Sequence, residues 1–473
     1  MRCCRLIACY FFFSATAVAK GLSPYLPLQL SPEIESQVEK VMALTPSAPL
    51  TKPYKASEVL TRINLLQNSH PRLYQQVNRY LQRYTRTTGR SYASIELAAS
   101  QDNAKDLPNQ RGIQSQSSYI VSAGGFYHPN PYFIASAGML LSEDSGGPVH
   151  TGSYIGFGYE YAQVELGYRE HWFSPFQDSA MLVSTHAEAS PSITISNATP
   201  ITDWNIRYEL FYSKLEKVDG IRLGNEFFSG HPRQTGFHLS FTPLDFWTIG
   251  VNRTFQFGGG AREVNISDIF QAFFDPAGKD NVGTVTDDPN FEFGNQQASF
   301  TSKMNVTLWD IDWSLYGEIG GEDTEGEKNY KLGNETLSFG IFLPDLTDTL
   351  SLRLEYNRWD TAWYVHHLYR QGYTNLGQVM GHWGGDERIF NHDTPAKVLS
   401  ASMEYRLGNR SLLSGTLRTI NNEEHLVNEY VQGFELEMDY SYATDSGFWG
   451  VSLYAGRDTR DNNFSRLALF YRW

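Results

Sequence analysis

The chain has 473 residues and a formal charge of −14, with 41% hydrophobic and 19% charged residues. The carboxylate surplus repels phosphate backbones and argues against nucleic acid as a partner. Its apolar content and 40 dispersed glycines exclude a largely disordered protein. No run of about 18 apolar residues occurs, so no helix spans a bilayer; barrel strands, which need only every second residue apolar, stay open.

Residues 1–19 read as a signal peptide. Arg2 and Arg5 precede an apolar stretch over 6–13, and Ala17-Val18-Ala19 supplies small residues for cleavage before Lys20. Leu6-Ile7-Ala8-Cys9 resembles a lipoprotein box, but too few apolar residues precede the cysteine for a signal core of about 7–15. Cys3, Cys4 and Cys9 all fall in this leader, so the exported chain is expected to carry neither disulfides nor thiol chemistry.

Residues 20–88 form a helical head. The first helix covers 31–44, with Ser31 as cap, Pro32 at the first helical position, Glu33 and Glu35 at the positive dipole end, and an Ile34, Val38, Val41, Met42 stripe. The second starts at the cap Ser57 and stops near Asn68. The third runs from Pro71 to about Arg86, striped by Leu73, Val77, Tyr80, Leu81 and Tyr84. Three such stripes can pack on each other as a bundle; a groove for a partner protein is the other use.

After Gly89 the period changes from 3.6 to 2. Leu350, Leu352, Leu354 and Tyr356 alternate with Ser351, Arg353, Glu355 and Asn357. Phe434, Leu436, Met438, Tyr440 and Tyr442 alternate with Glu435, Glu437, Asp439 and Ser441, and Trp204–Tyr212 reads similarly. Roughly 16–18 such segments of about 8–12 residues suit tilted membrane strands. Tyr356, Trp359, Tyr405, Tyr440, Tyr442, Tyr471 and Trp473 sit at strand ends, where interfacial girdles lie. The last segment, ending on Trp473, resembles the C-terminal signal of bacterial outer-membrane barrels. Alternation alone also suits a soluble sandwich or propeller, but the aromatic ends and the last segment favour a transmembrane antiparallel β-barrel over 89–473, with internal plug segments and long external loops.

HWFSPFQDSAMLVST at 171–185, PSITISNATPITDW at 191–204 and DFWTIGVNRTFQFGGG at 245–260 resemble, in order and spacing, the hallmark segments of the Wzi family of outer-membrane capsule-assembly proteins. The resemblance extends over essentially the whole exported chain. It implies a barrel of about 18 strands, plugged, with the helical head at its periplasmic end. It also implies a lectin that attaches capsular polysaccharide or exopolysaccharide to the cell surface. Polysaccharide, outer-membrane lipid and a periplasmic protein at the head are then the expected partners, without a cofactor.

Within these segments His171, Trp172, Ser174, Pro175 and Phe176 open a fold-back from about 172 to 200, read as plug or sugar contact, or as aromatics packing the lumen. Asn252, Arg253, Gly258, Gly259 and Gly260 mark the third segment. The glycines allow turns that side chains block and lack the context and lysine of a phosphate loop. Glu165 with Arg169, Arg207 with Glu209, Arg353 with Glu355 and Glu404 with Arg406 are expected to project inward and pair, which favours a filled barrel over an open channel.

Two long interruptions, about 261–290 and 359–394, are the candidate external loops. The second offers Trp359, Trp363, Tyr364, Tyr369 and Trp383 as faces for sugar rings, and Asp386, Glu387 and Arg388 as hydroxyl or acidic-sugar contacts; a self-packed loop is the alternative. His366 and His367 would point apart in a strand, and together with His382 and His392 show no compact metal spacing. Asp280, Asp287 and Asp288 lack an ordered calcium ladder, so no metal is expected. No nucleophile motif or carboxylate couple stands out, so an enzyme is not expected. A porin or saccharide transporter, and then an outer-membrane hydrolase, are the rival functions.

Overall fold

The computed structural model describes residues 21–28, 30–262, 264–275, 293–322, 332–385, 394–423 and 430–473. The signal-peptide expectation therefore lies outside the described residues. Among those described, eighteen antiparallel strands close a barrel. Each pairs with its sequence neighbour, and the first, Thr88–Asp102, also pairs with the last, Asn463–Arg472, from Ser94 opposite Arg472 to Asp102 opposite Phe464. Val149–His150 adds a two-residue pairing beside Phe133–Ser142.

The side-chain period assigns the two faces. In Leu350–Trp359, Ser351, Arg353, Glu355 and Asn357 are buried while Leu354 is exposed. In Asn463–Arg472, Leu467 and Leu469 are exposed and Arg466, Ala468 and Phe470 are buried. Ile193, Phe300, Ile319, Phe339 and Leu399 continue the exposed apolar surface. Apolar outside and polar inside is the reverse of a soluble sandwich, and it matches a wall solvated by lipid. Tyr442 with Trp449 forms a tilted ring pair, and Tyr471 with Trp473 an edge contact, at the end where the turns are short. Trp359 departs from the girdle expectation: the strand keeps phase to its last residue, so this indole points into the lumen.

Connections at one end are tight, such as 131–132, 245–246, 309–310 and 348–349; those at the other end are long. The helical head sits at the tight-turn end. Helix α1 covers Pro32–Leu44, α2 Ala56–Leu65 and α3 Pro71–Leu81, followed by a 3-10 turn to Thr85. Ser31 occupies the α1 cap position, but its carbonyl rather than its hydroxyl receives the first amides. The cap expected at Ser57 is displaced by two residues to Lys55: α2 begins at Ala56, and the Ala56 and Ser57 amides bond to Pro24 O and Ser23 Oγ of the preceding segment. The stripes meet in one core, with Val41, Met42, Val59, Ile63, Val77 and Leu81 reaching Phe126 of the barrel wall.

This head reaches into the barrel mouth. Lys40 Nζ lies 2.9 Å from Asp345, Arg207 lies 2.8 Å from Glu58, and Asn305 Nδ2 donates to Met42 O at 2.8 Å. Two of the expected inward pairs are therefore corrected. Arg207 bonds to Glu58 of α2 instead of Glu209, and Glu404 accepts from Ser36 of α1 instead of pairing with Arg406. Both partners belong to the docked head, which brings Glu58 and Ser36 to these wall residues. Glu165 with Arg169 holds at 2.8 Å, and Arg353 with Glu355 at 3.7 Å. The strand expected from Trp204 begins at Arg207, because Thr202 and Asn205 adopt positive φ and make a turn.

A lumenal plug and a rim cleft as candidate functional site

The 169–191 segment leaves the wall and folds through the lumen, with almost every side chain from Glu170 to Ala187 buried. Pro175 interrupts the ladder pattern, since proline cannot donate to one, and polar groups of the wall replace the missing partners. Trp172 and Lys52 exchange backbone bonds, and Trp172 Nε1 donates to Phe176 O at 3.0 Å. Ser174 Oγ donates to Glu318 at 3.1 Å, and the Phe176 ring meets Tyr316 edge-on at 4.8 Å. Glu355 receives the amides of Gln177 and Asp178, both at 2.9 Å, and Arg418 Nε donates to Asp178 at 2.7 Å. His171 Nδ1 lies 2.6 Å from Glu209, whose other oxygen takes Arg169 Nη2 at 2.8 Å. Burial pulls the His171 imidazole below its usual pKa, against the bond and charge of Glu209.

His171, Trp172, Ser174, Pro175 and Phe176 thus sit together in the plug. The fold-back is shorter than expected, because Ser192–Ser196 returns to the wall with Ile193 and Ile195 facing out. The third segment divides. Asn252 is lumenal, between His238 at 2.6 Å and Ser299 at 3.1 Å, whereas Arg253 points to the outer face. Gly258, Gly259 and Gly260 take φ of +66°, +79° and +58°, a left-handed run that L side chains resist. It lets the chain turn tightly against the Val218–Leu223 and Glu226–Gly230 hairpin.

The long loop after Trp359 folds inward onto the plug. Trp359, Trp363, Tyr364, Tyr373 and Trp383 pack with Phe173, Met181, Leu182 and Val398, and the rings are at most 1% exposed. Tyr364 Oη donates to Met181 O at 2.6 Å and accepts from His382 N at 2.7 Å. Tyr369 is buried elsewhere, against Ile221, with its hydroxyl on Gly258 O at 3.1 Å. The expectation that Trp359, Trp363, Tyr364, Tyr369 and Trp383 offer open stacking faces is corrected: all five are core. Broad apolar rings gain about 25 cal/mol per Å² by leaving water, so the aromatics draw inward. Asp386, Glu387, Arg388 and His392 lie outside the described residues, as do Asp280, Asp287 and Asp288. His366 and His367 stack at 4.5 Å on a turn instead of diverging along a strand. No group of three or more metal-ligating side chains gathers among the described residues.

At the long-loop end a cleft of about 190 Å³ opens above this core. Lys105, Asp106, Asn422, Tyr430 and Arg460 line it, with Trp383 at its base. The rim is ordered by loop bonds: Thr394 Oγ1 donates to Glu423 O at 2.5 Å, and Asp458 receives the amides of Arg460 and Asn462. One face of Trp383 carries the Arg418 guanidinium at 5.5 Å, and its indole Nε1 finds no hydrogen-bond partner among the described residues. The other lining residues come from loops near 105, 422, 430 and 460, and no local spacing announces them; only their shared barrel end brings them together.

An eighteen-stranded barrel, apolar outside and filled by a plug and an inserted helical head, defines a membrane barrel of the closed class. The family model described as Capsule assembly protein Wzi matches residues 74–462, and the chain belongs to that family. A solved Escherichia coli structure, described as Wzi, an outer membrane protein involved in group 1 capsule assembly and a carbohydrate-binding β-barrel, superposes with a TM-score of 0.70. It covers 96% of this chain and 99% of that one at 14% identity, which is a likeness of fold. A Klebsiella pneumoniae protein described as an uncharacterized 55.8 kDa protein in the cps region is 35% identical over 99 residues. That match covers 20% of this chain and spans only 18% of the relative's length. The chain is an outer-membrane β-barrel of the capsule-assembly family.

Proposed function

We propose that this protein binds exported capsular polysaccharide or exopolysaccharide at the cell surface and holds it there without cleaving it. Membership of the capsule-assembly family over residues 74–462 carries this reading. In it, the long-loop end faces outward and the head, residues 20–88, faces the periplasm, because barrels put short turns inside and long loops outside. The rim cleft is the sugar site. It is polar, narrow enough for one or two sugar units, and lined by Lys105, Asp106, Asn422 and Arg460 as hydroxyl and carboxylate contacts above the buried Trp383 ring. Weak contacts at single repeat units become durable through multivalency.

At the opposite end, a cleft of about 680 Å³ between head and rim carries Arg79, Arg83, Arg90, Arg406 and Arg410 against Glu33 and Asp445. This basic surface in an acidic chain suits an acidic periplasmic partner. A porin reading has to open a lumen occupied by both plug and head.

The test compares cell-bound with shed polysaccharide in a deletion strain complemented by the wild-type chain, Trp383→Phe or Arg460→Gln. More shed polymer at unchanged total is expected for the deletion and for both variants. An unchanged partition in the deletion strain sinks the retention role. A full rescue by both variants sinks only the site.

A further inference from the structure

The described part of the 261–290 interruption is a helix held against the outer wall at the long-loop end. Helix α4, Ile266–Phe274, starts at Asn265 with a capping box closed by Asp268. It does not cover the lumen mouth. Its Ala272, Ile269 and Phe273 pack on Phe255 and Phe257, which are outward side chains of the Trp247–Phe257 strand, and on Phe293. Phe273 also meets the outward Phe237 edge-on at 5.2 Å. Arg253 fastens the helix from below: its Nη1 donates to Phe273 O at 2.6 Å and its Nη2 to Ala272 O at 2.9 Å. The same guanidinium lies 4.7 Å from the Phe255 ring centre. The C-terminal carbonyls that a helix leaves unpaired thus receive a cation from the barrel wall.

The apolar face of α4 is wider than the part the wall covers. Ile266, Phe270 and Phe274, spaced i, i+4 and i+8, are 74%, 62% and 73% exposed. They form one stripe along the helix, with Ser267 and Gln271 on its polar flank. The stripe is continuous with the exposed apolar surface of the wall, where Leu239 and Phe300 lie close by in the ladder: Leu239 and Phe300 both pair with Val251, two residues below Arg253. A helix held flat on a lipid-facing wall, with its leftover apolar stripe facing sideways, has the geometry of an interfacial anchor.

We infer that α4 is a membrane-surface helix whose Ile266, Phe270 and Phe274 insert among lipid acyl chains beside the barrel. The occupant is lipid rather than a second protein, because the stripe extends a surface that lipid already covers. With the long-loop end outside, that lipid belongs to the outer leaflet.

The experiment uses the full chain in phosphatidylcholine vesicles on a background of Cys3→Ser, Cys4→Ser and Cys9→Ser. A small environment-sensitive fluorophore is attached to Phe270→Cys, Phe274→Cys or Gln271→Cys, one at a time. Lipids brominated on their acyl chains should quench the 270 and 274 probes several-fold more than the 271 probe, and aqueous iodide should show the opposite order. Iodide quenching of all three without lipid quenching would put the stripe in water and overturn the proposal. Protection of 270 and 274 from both quenchers would put protein there and overturn it equally. Because the substituted positions are exposed, retained heat-modifiable mobility checks that each barrel is folded. Adding Arg253→Gln should lower lipid quenching at 270 while the barrel stays folded.

Discussion

Tyr364 holds a backbone φ of +73°, a conformation bulky residues rarely adopt. Its hydroxyl repays that strain by bonding both the plug at Met181 and the loop at His382. Neighbouring Trp363 is fully buried in the same cluster. Trp363→Ala should therefore lower stability by about 3–5 kcal/mol, measured as a shift in the urea midpoint of the detergent-solubilised barrel. An unchanged midpoint would mean the ring is not core. Charged residues of the head make a pH prediction. Burial opposes charge on Glu58, but Arg207 and Arg62 hold its pKa at about 2, so its contribution is present above about 4.5 and fades as pH falls toward 2. Glu35 behaves oppositely. Burial raises it to about 7 against the pull of Lys52, so its contribution is present below about 4.5 and is lost as pH rises through 7. Protease cleavage within residues 21–87 should accelerate between pH 5 and 8, and Glu35→Gln should flatten that rise. Equal pH dependence in both proteins would exclude Glu35 as its source.

Elements were legible in proportion to how local their causes are. Strand faces such as 350–357 and 434–442 follow from alternation alone, and the stripes of α1 and α3 follow from helical spacing. The Ser192–Ser196 strand also alternates, with Ile193 and Ile195 out, yet the prolines at 191 and 200 masked it as part of the fold-back. The start of α2 depends on amides bonded to Ser23 and Pro24, and the partners of Arg207 and Glu404 depend on where the head docks. None of these is visible in a linear window. The loop aromatics show the same limit: their abundance was plain, but whether rings face sugar or one another depends on a plug contributed by a distant segment. At this scale Glu355 is the plug's main acceptor, receiving two amides and the Tyr316 hydroxyl at 2.6 Å. Glu355→Ala should leave Gln177 and Asp178 amides without acceptors at a cost of about 1–3 kcal/mol each. Limited proteolysis within 171–185 should then increase, and resistance equal to wild type would assign the seat elsewhere.

The whole molecule is a barrel whose interior is structure. Cavities of about 230 and 280 Å³ remain, sharing Glu35, Glu437 and Asp439 along their linings, and neither amounts to an open channel. Planar-bilayer recordings should show no steady porin-scale conductance for the intact chain, and deletion of 171–185 should open one; steady conductance by the intact chain would contradict a closed lumen.

The plug also dictates an order of construction. Its anchors Glu318, Glu355 and Arg418 lie 144, 177 and 240 residues downstream of the groups they bind, Ser174 and Asp178. The seat therefore does not exist until most of the wall has been laid down, and the seam between the first and last strands closes later still. Until then the plug must wait beside an unfinished sheet, and contacts this remote in sequence form slowly. A cell making this protein has to roll the wall around its own stopper. A seam that closed too early would strand the plug outside and yield a different object: an empty, permeable ring in a membrane meant to be a barrier.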